Sequence, residues 1–266
     1  MKIQFVICGW HMDQDSLIDG LKFLQRPIGM NLGSYDRVEI DVFWSCHRTP
    51  PDRIKDNFDC KEFYNGAEEC GAYQQAIDYL DLDDDTYCFF MHDDLIIKSW
   101  GFVEACTNLL NQDFKLVGNG RDPGFEAYDP FYIPNRGIKP EFDGKMGVDY
   151  VKDENKHLFE GKMKVEMARA SFWSMKYETV KAIGGFEPRE ECYVTPMVDE
   201  DGNAYYRGAE HLRTSRYGGL SIFGNLFCNL TIYKLNKIFG QESVTWLDKQ
   251  YRNSMYIHEC ARGEEG

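Results

Sequence analysis

The stretch Tyr87–Ile97, YCFFMHDDLII, decides how the rest of the chain reads. Tyr87–Met91 is an uncharged run of strand length, as expected of a strand covered on both faces. It stops at His92, Asp93 and Asp94, and apolar residues then resume. Neighbouring carboxylates repel each other, and a divalent cation between a carboxylate and a phosphate relieves that repulsion. The carboxyl end of such a strand is also where open α/β sheets hold their ligands. The competing reading is a solvated acidic turn that caps a helix starting near Ser99.

Upstream, Ala67, Cys70, Tyr73, Ile77 and Leu80 share one face of a helix predicted over Gly66–Leu80. Lys61–Tyr64 reads as a short strand turned by Asn65-Gly66. Val38, Ile40, Val42 and Trp44 alternate with other residues, which predicts a strand ending at Ser45-Cys46-His47-Arg48. The first strand is Ile3–Cys8, closed by Gly9-Trp10; Leu17, Leu21 and Leu24 carry a helix capped by Asp15 or Ser16. Downstream, Trp100, Val103, Cys106 and Leu110 mark another helix, and Phe114–Val117 another strand. The order β-α-β-β-α-β-α-β predicts a Rossmann-like α/β fold with a mostly parallel central sheet flanked by helices. GxGxxG does not follow the first strand and GxxxxGK[ST] occurs nowhere, so neither the dinucleotide nor the P-loop reading is supported.

Gly118–Lys164 is rich in Gly, Pro, Asp and aromatics and lacks a sustained period. A loop of that length is usually functional or hides short strands. Val165–Ser174 reads as one strand, and Lys176–Ile183 as a helix stopped by Gly184-Gly185. The uncharged Tyr217–Tyr233 reads as a buried helix, reached through Glu210–Arg216, and Ser243–Met255 as one more, giving a helical C-terminal segment. With no repeat and no low-complexity linker, residues 1–266 form a single domain in this reading.

The net charge of −14 opposes duplex nucleic acid as a partner, because its phosphates would be repelled. The 9 cysteines include no CxxC, so buried reduced thiols are expected rather than a disulfide framework or a zinc site. The N-terminal MKIQFVICGW opens as a strand with no signal-peptide pattern, which points to the cytoplasm. Arg207, Arg213, Arg216, Lys234 and Lys237 flank the uncharged stretch, so peripheral contact with the cytosolic face of a membrane is kept as an alternative.

Several features, in chain order, resemble the GT-A fold glycosyltransferases that use nucleotide sugars (family-2-like). They are the N-terminal strand with CGW, the Asn65-Gly66…Gly71-Ala72-Tyr73-Gln74 helix, and FFMHDDLII, which is similar to the family's strand ending in Asp-x-Asp. ARASFWSMKYETVKAIGGFEP, Glu210-His211-Leu212-Arg213 and His258 complete the set. His92 stands where the family has its first Asp. The resemblance implies a nucleotide-binding half, 1–118, and an acceptor-binding half, 119–266. It implies Asp94 and His258 as ligands of Mn²⁺ or Mg²⁺, with the imidazole favouring Mn²⁺. Glu210 is implied as the base, with Arg213 behind it and Asp199, Glu200 or Asp201 as substitutes. Donor contacts are expected from Cys8, Gly9, Trp10, Trp44, Ser45, His47, Tyr73, Gln74, His92 and Asp93. Phe172 and Trp173 are candidates for the sugar pocket, and Phe125, Tyr128, Phe131 and Tyr132 for a loop over the donor or acceptor. His11, His157 and His211 receive no role.

The implied reaction is transfer of a sugar, by default from a UDP-sugar, to a hydroxyl on a glycan or glycoconjugate. A metal-dependent phosphoesterase or nucleotidyltransferase built on the same HDD is the alternative reaction class. The nucleotidyltransferase would be expected to carry a basic Gly-rich loop where CGWHMDQD stands. A non-catalytic sugar-binding module is the third reading.

Overall fold

The structure is a computed structural model that describes residues 1–26, 38–63, 68–119, 121–127, 129–131, 141–142, 145–163, 165–168, 171–189, 196–198, 204–206, 220–253 and 255–257. The strands, in chain order, are β1 (Lys2–Gly9), β2 (Glu39–Cys46), β3 (Asp59–Glu62), β4 (Tyr87–His92), β5 (Leu95–Ile97), β6 (Leu116–Gly118), β7 (Arg121–Ala127), β8 (Glu141–Phe142), β9 (Lys145–Met146), β10 (Val165–Ala168), β11 (Phe172–Lys176), β12 (Pro196–Val198), β13 (Ala204–Tyr206), β14 (Val244–Trp246) and β15 (Met255–Ile257). The α-helices are α1 (Asp15–Leu24), α2 (Asp52–Lys55), α3 (Glu68–Tyr79), α4 (Phe102–Asn111), α5 (Tyr177–Ala182), α6 (Leu220–Phe239) and α7 (Lys249–Arg252).

Seven strands form the main sheet in the order β14-β6-β11-β4-β1-β2-β3. β1 runs parallel to β2 and β4, β2 to β3, and β14 to β6, while β11 lies antiparallel between β4 and β6. The result is a mixed, mostly parallel sheet flanked by helices, a generic Rossmann-like architecture.

Side-chain alternation splits the interior into two cores. Ile3, Phe5, Ile7, Tyr87, Phe89 and Met91 face α1 and α4, where Leu17, Leu21, Phe102 and Cys106 meet them. Val6, Cys8, Cys88 and Phe90 face the opposite way, against Cys70, Tyr73 and Ala76 of α3 and Leu230 and Tyr233 of α6. A central strand covered on both sides has no place for charge, which is why Tyr87–Met91 carries none. The uncharged stretch before Lys234 is a buried helix over its described part: Leu226, Leu230 and Tyr233 are closed to solvent. No helix among the described residues is long and apolar enough to cross a membrane.

A buried polar hub ties α6 to the loop after α5. Lys234 Nζ lies 2.9 Å from Glu187 Oε1 and donates to Gly185 O at 2.5 Å, with both charged side chains at 0% exposure. Glu187 also accepts from Lys152 N at 2.8 Å and from Asn155 Nδ2 at 2.7 Å. Burial alone would push the Lys234 ammonium down, and Glu187 offsets part of that. Gly184 and Gly185 turn the chain at φ +68 and +74. A Cβ on either would run into a side chain, Asn155 at the first and Gln74 at the second, so both positions need glycine.

Three sequence expectations are corrected. Ser243–Met255 is not one helix but β14, the short α7 and β15. Val244, Thr245 and Trp246 are strand formers, and β6 offers them a sheet edge. Val165–Ser174 is two strands in different sheets, β10 beside β7 and β11 in the main sheet. The motif strand ends where expected, at the charged motif, and the apolar residues after it form β5, outside the main sheet and paired with β15. The residue that caps α1 is Gln14, with no side-chain bond, rather than Asp15 or Ser16. The long segment after Gly118 holds short strands, as one of the two expectations had it. The 7 described cysteines form no disulfide with one another.

Candidate functional site

Three parallel strands end together. In the β1 ladder Cys8 sits opposite both Ser45 and His92, and Gly9 opposite Cys46. The carboxyl edge of the sheet therefore gathers Cys8, Gly9, Ser45, His47 and the His92-Asp93-Asp94 motif. β11 closes the other flank, where His92 N donates to Ser171 O at 3.0 Å.

The three motif residues do different things. Asp93 is turned inward at 3% exposure, and its Oδ2 accepts from Trp10 N at 2.7 Å and Met12 N at 2.6 Å. Burial pushes its carboxyl up, and the two amides and the His11 charge counter only part of that. His92 lies between two carboxylates, with Nε2 3.9 Å from Glu69 Oε2 and Nδ1 3.6 Å from Asp94 Oδ1. These distances describe ion pairs rather than tight hydrogen bonds. Burial disfavours the charged ring, but Asp94, Glu69 and Asp93 together outweigh it and raise the imidazole to about 9. Asp94 shows the converse. Burial raises its carboxyl, and His92 and His11 more than reverse this, so it is held below the ordinary value. Its Oδ1 is buried with no hydrogen-bond partner.

Glu69 and His11 are the residues that sequence reasoning passed over. Glu69 stands in the first turn of α3 and accepts from Cys228 Sγ of α6 at 3.6 Å. Its only sequence signal is an acidic pair opening a helix that leads back to the motif strand. His11 sits in the turn that Asp93 gathers, close enough for its charge to lower both aspartates.

Other predicted contacts have inward tasks. Trp44 is fully buried and packs on Phe58, ring centroids 5.8 Å apart. Tyr73 is also at 0% exposure, between Phe90 and Phe186. Gln74 accepts from Phe186 N at 2.6 Å and donates to Asp78 at 2.7 Å, bracing the glycine loop. Phe172 and Trp173 are core residues at 0% exposure, not an open sugar pocket; Trp173 stacks on Phe186. Phe131 packs on Phe159. Ser45 Oγ and His47 Nε2 are buried without partners at the strand edge. Burial pushes the His47 imidazole down to about 4, against a smaller opposing effect of Gln75, so the ring is neutral. Trp10 keeps partial exposure.

Glu210, Arg213 and His258, the substitutes Asp199, Glu200 and Asp201, and Tyr128 and Tyr132 lie outside the described residues. Phe125 is placed only through its backbone in β7. The strand that leads to His258 is described. In the β15–β5 ladder Ile257 pairs with Leu95, so the residue before His258 lies opposite the residue after Asp94. Among the described residues, no group of three or more His, Cys, Asp or Glu side chains is arranged to hold a metal ion. The sequence matches no protein-family model and no curated protein.

Proposed function

We propose that the chain is a metal-dependent glycosyltransferase that takes a sugar from a nucleoside-diphosphate donor, by default a UDP-sugar. The acceptor is a hydroxyl on a glycan or glycoconjugate. The observation that carries this reading is the β15–β5 ladder, in which Ile257 pairs with Leu95, the residue after Asp94. The aromatic strand before the glycine loop adds support, since it pairs directly with the motif strand.

The residues fit a cation that arrives with its substrate. Asp94 offers a carboxylate whose buried Oδ1 makes no hydrogen bond and only a 3.6 Å ion pair with His92, and a metal with one or two protein ligands completes its shell from phosphates and water. When bound, Mn²⁺ or Mg²⁺ supplies charge stabilisation to the diphosphate leaving group. Asp94 and His258 are the residues proposed to hold it. The edge residues Cys8, Gly9, Trp10, Ser45 and His47 line the donor side. Glu210 removes the acceptor proton, with Arg213 behind it. His92 replaces the family's first carboxylate, and the carboxylate beside it is Glu69.

The test is a thermal-shift panel of UDP, GDP, CDP and dTDP, each with and without Mn²⁺. At about a hundred times Kd, mass action raises the melting temperature by roughly 5 °C or more. The expected result is a rise with one nucleotide that requires Mn²⁺ and vanishes in Asp94→Ala. A panel without any rise, or an Asp94→Ala protein with undiminished Mn²⁺-dependent binding, overturns the assignment.

A further inference from the structure

We infer that Asp93, the middle residue of the motif, is a positioning residue which, together with Arg48, locks the Trp10–Met12 turn into a preformed wall of the donor site. The inference rests on the glycosyltransferase reading for what the wall contacts, and on geometry for the clamp itself. One carboxylate oxygen of Asp93 gathers two backbone amides, Trp10 N and Met12 N, at 2.7 and 2.6 Å. The Asp93 backbone adds a third tie, its N–H donating to Cys8 O at 3.2 Å. From the next strand, Arg48 Nη2 donates to His11 O at 2.5 Å. The turn is thus held on its amide side from β4 and on its carbonyl side from β2.

The backbone inside the clamp would not hold its shape unaided. Met12 has φ 55, a left-handed conformation that residues with a side chain adopt rarely and keep only when their surroundings enforce it. A carboxylate accepting two amides supplies that enforcement, and hydrogen bonds to a charged acceptor are the stronger kind. The arrangement also divides labour between adjacent acids. Asp93 is spent inward, whereas Asp94 Oδ1 accepts no hydrogen bond and has only the 3.6 Å ion pair with His92. A turn already fixed in shape loses little freedom when a ligand meets it, which favours binding. Trp10 and His11, both partly exposed, are the side chains it presents.

The experiment compares wild type, Asp93→Asn and Arg48→Met. Arg48 is exposed, so that variant keeps the fold even if the buried change does not. Amide exchange at Trp10 and Met12 is read by NMR, Mn²⁺-dependent nucleotide affinity by calorimetry, and affinity for Mn²⁺ alone by electron paramagnetic resonance. In Asp93→Asn the two amides are expected to exchange at least about ten-fold faster, as a charge-assisted acceptor is lost. Nucleotide affinity is expected to fall about ten-fold in both variants, with affinity for Mn²⁺ alone unchanged. A purely structural role would lower the melting temperature and leave the nucleotide affinity of the folded protein intact, which overturns the inference. So would unchanged exchange at Trp10 and Met12. Wild-type protein that binds no nucleotide sinks the donor-site reading and the wall with it. Wild type and variants that bind equally well sink the inference alone.

Discussion

Among the described residues, charge is buried in two places and is held differently in each. In the hub, Glu187 and Lys234 are both closed to solvent, and their polar atoms are taken up by each other, by Asn155, and by the backbone of Lys152 and Gly185. At the carboxyl edge of the sheet, His47 Nε2 and Ser45 Oγ are buried without hydrogen-bond partners, and Asp94 Oδ1 and His92 Nε2 have only long ion pairs, at 3.6 and 3.9 Å. A buried polar group left unpaired costs stability. A hub that satisfies its charges serves the fold. An edge that leaves several unsatisfied together is where a ligand would complete them. The contrast separates structural acids from candidate functional ones without any appeal to motif.

Breaking the hub should have the largest effect. Lys234→Met leaves Glu187 buried without its partner, and loss of about 3–5 kcal/mol is expected from urea denaturation. A loss under about 1 kcal/mol would mean that water reaches Glu187, and the contrast with the edge would fail.

Acid should act next, through His47. Its imidazole titrates near 6.5 when unfolded and at about 4 in the fold. Between those values the unfolded chain binds a proton that the native state refuses. Stability is therefore complete above pH 6.5 and falls as the pH drops toward 4, by up to about 2–3 kcal/mol. His47→Gln should flatten that part of the stability profile, and an unchanged slope would reject the assignment.

Gly185→Ala sharpens the comparison from the backbone side. It forces a side chain to φ +74 and into Gln74, at an expected cost of about 1–3 kcal/mol. Adding Gln74→Ala removes the steric part and leaves the backbone part, so the double variant should recover some melting temperature.

Asp94→Asn is the smallest in stability. It gives up the long ion pair with His92 but also the cost of burying a charge, so a change within about 1 kcal/mol is expected. If it costs as much as Lys234→Met, Asp94 is a structural acid like Glu187.

The strands of the first half were legible because their period and their turns agree. Ile3–Cys8 was expected and Lys2–Gly9 is observed; Val38–Trp44 was expected and Glu39–Cys46 is observed. The same reasoning failed at Ser243–Met255, where a helical reading met two short strands. Three-residue strands have too little sequence to show a period, and their identity came from partners, β6 and β5, far away in the chain. The site divides similarly. Tyr73, Gln74 and Trp44 resembled ligand contacts by position along the chain, but their direction relative to two cores was invisible.

The sequence by itself determined the α/β class, the central place of Tyr87–His92 and the end of that strand at a charged motif. Those follow from local periodicity and from the exclusion of charge from a strand buried on both faces. Only the tertiary structure decided that Asp93 turns inward while Asp94 Oδ1 accepts no hydrogen bond, and that Glu69 stands beside His92. It alone brought Ile257 opposite Leu95. The physical reason is the same in each case: a side chain's partner is set by which strands and helices pack together, and that is a property of the whole chain rather than of its neighbours in sequence.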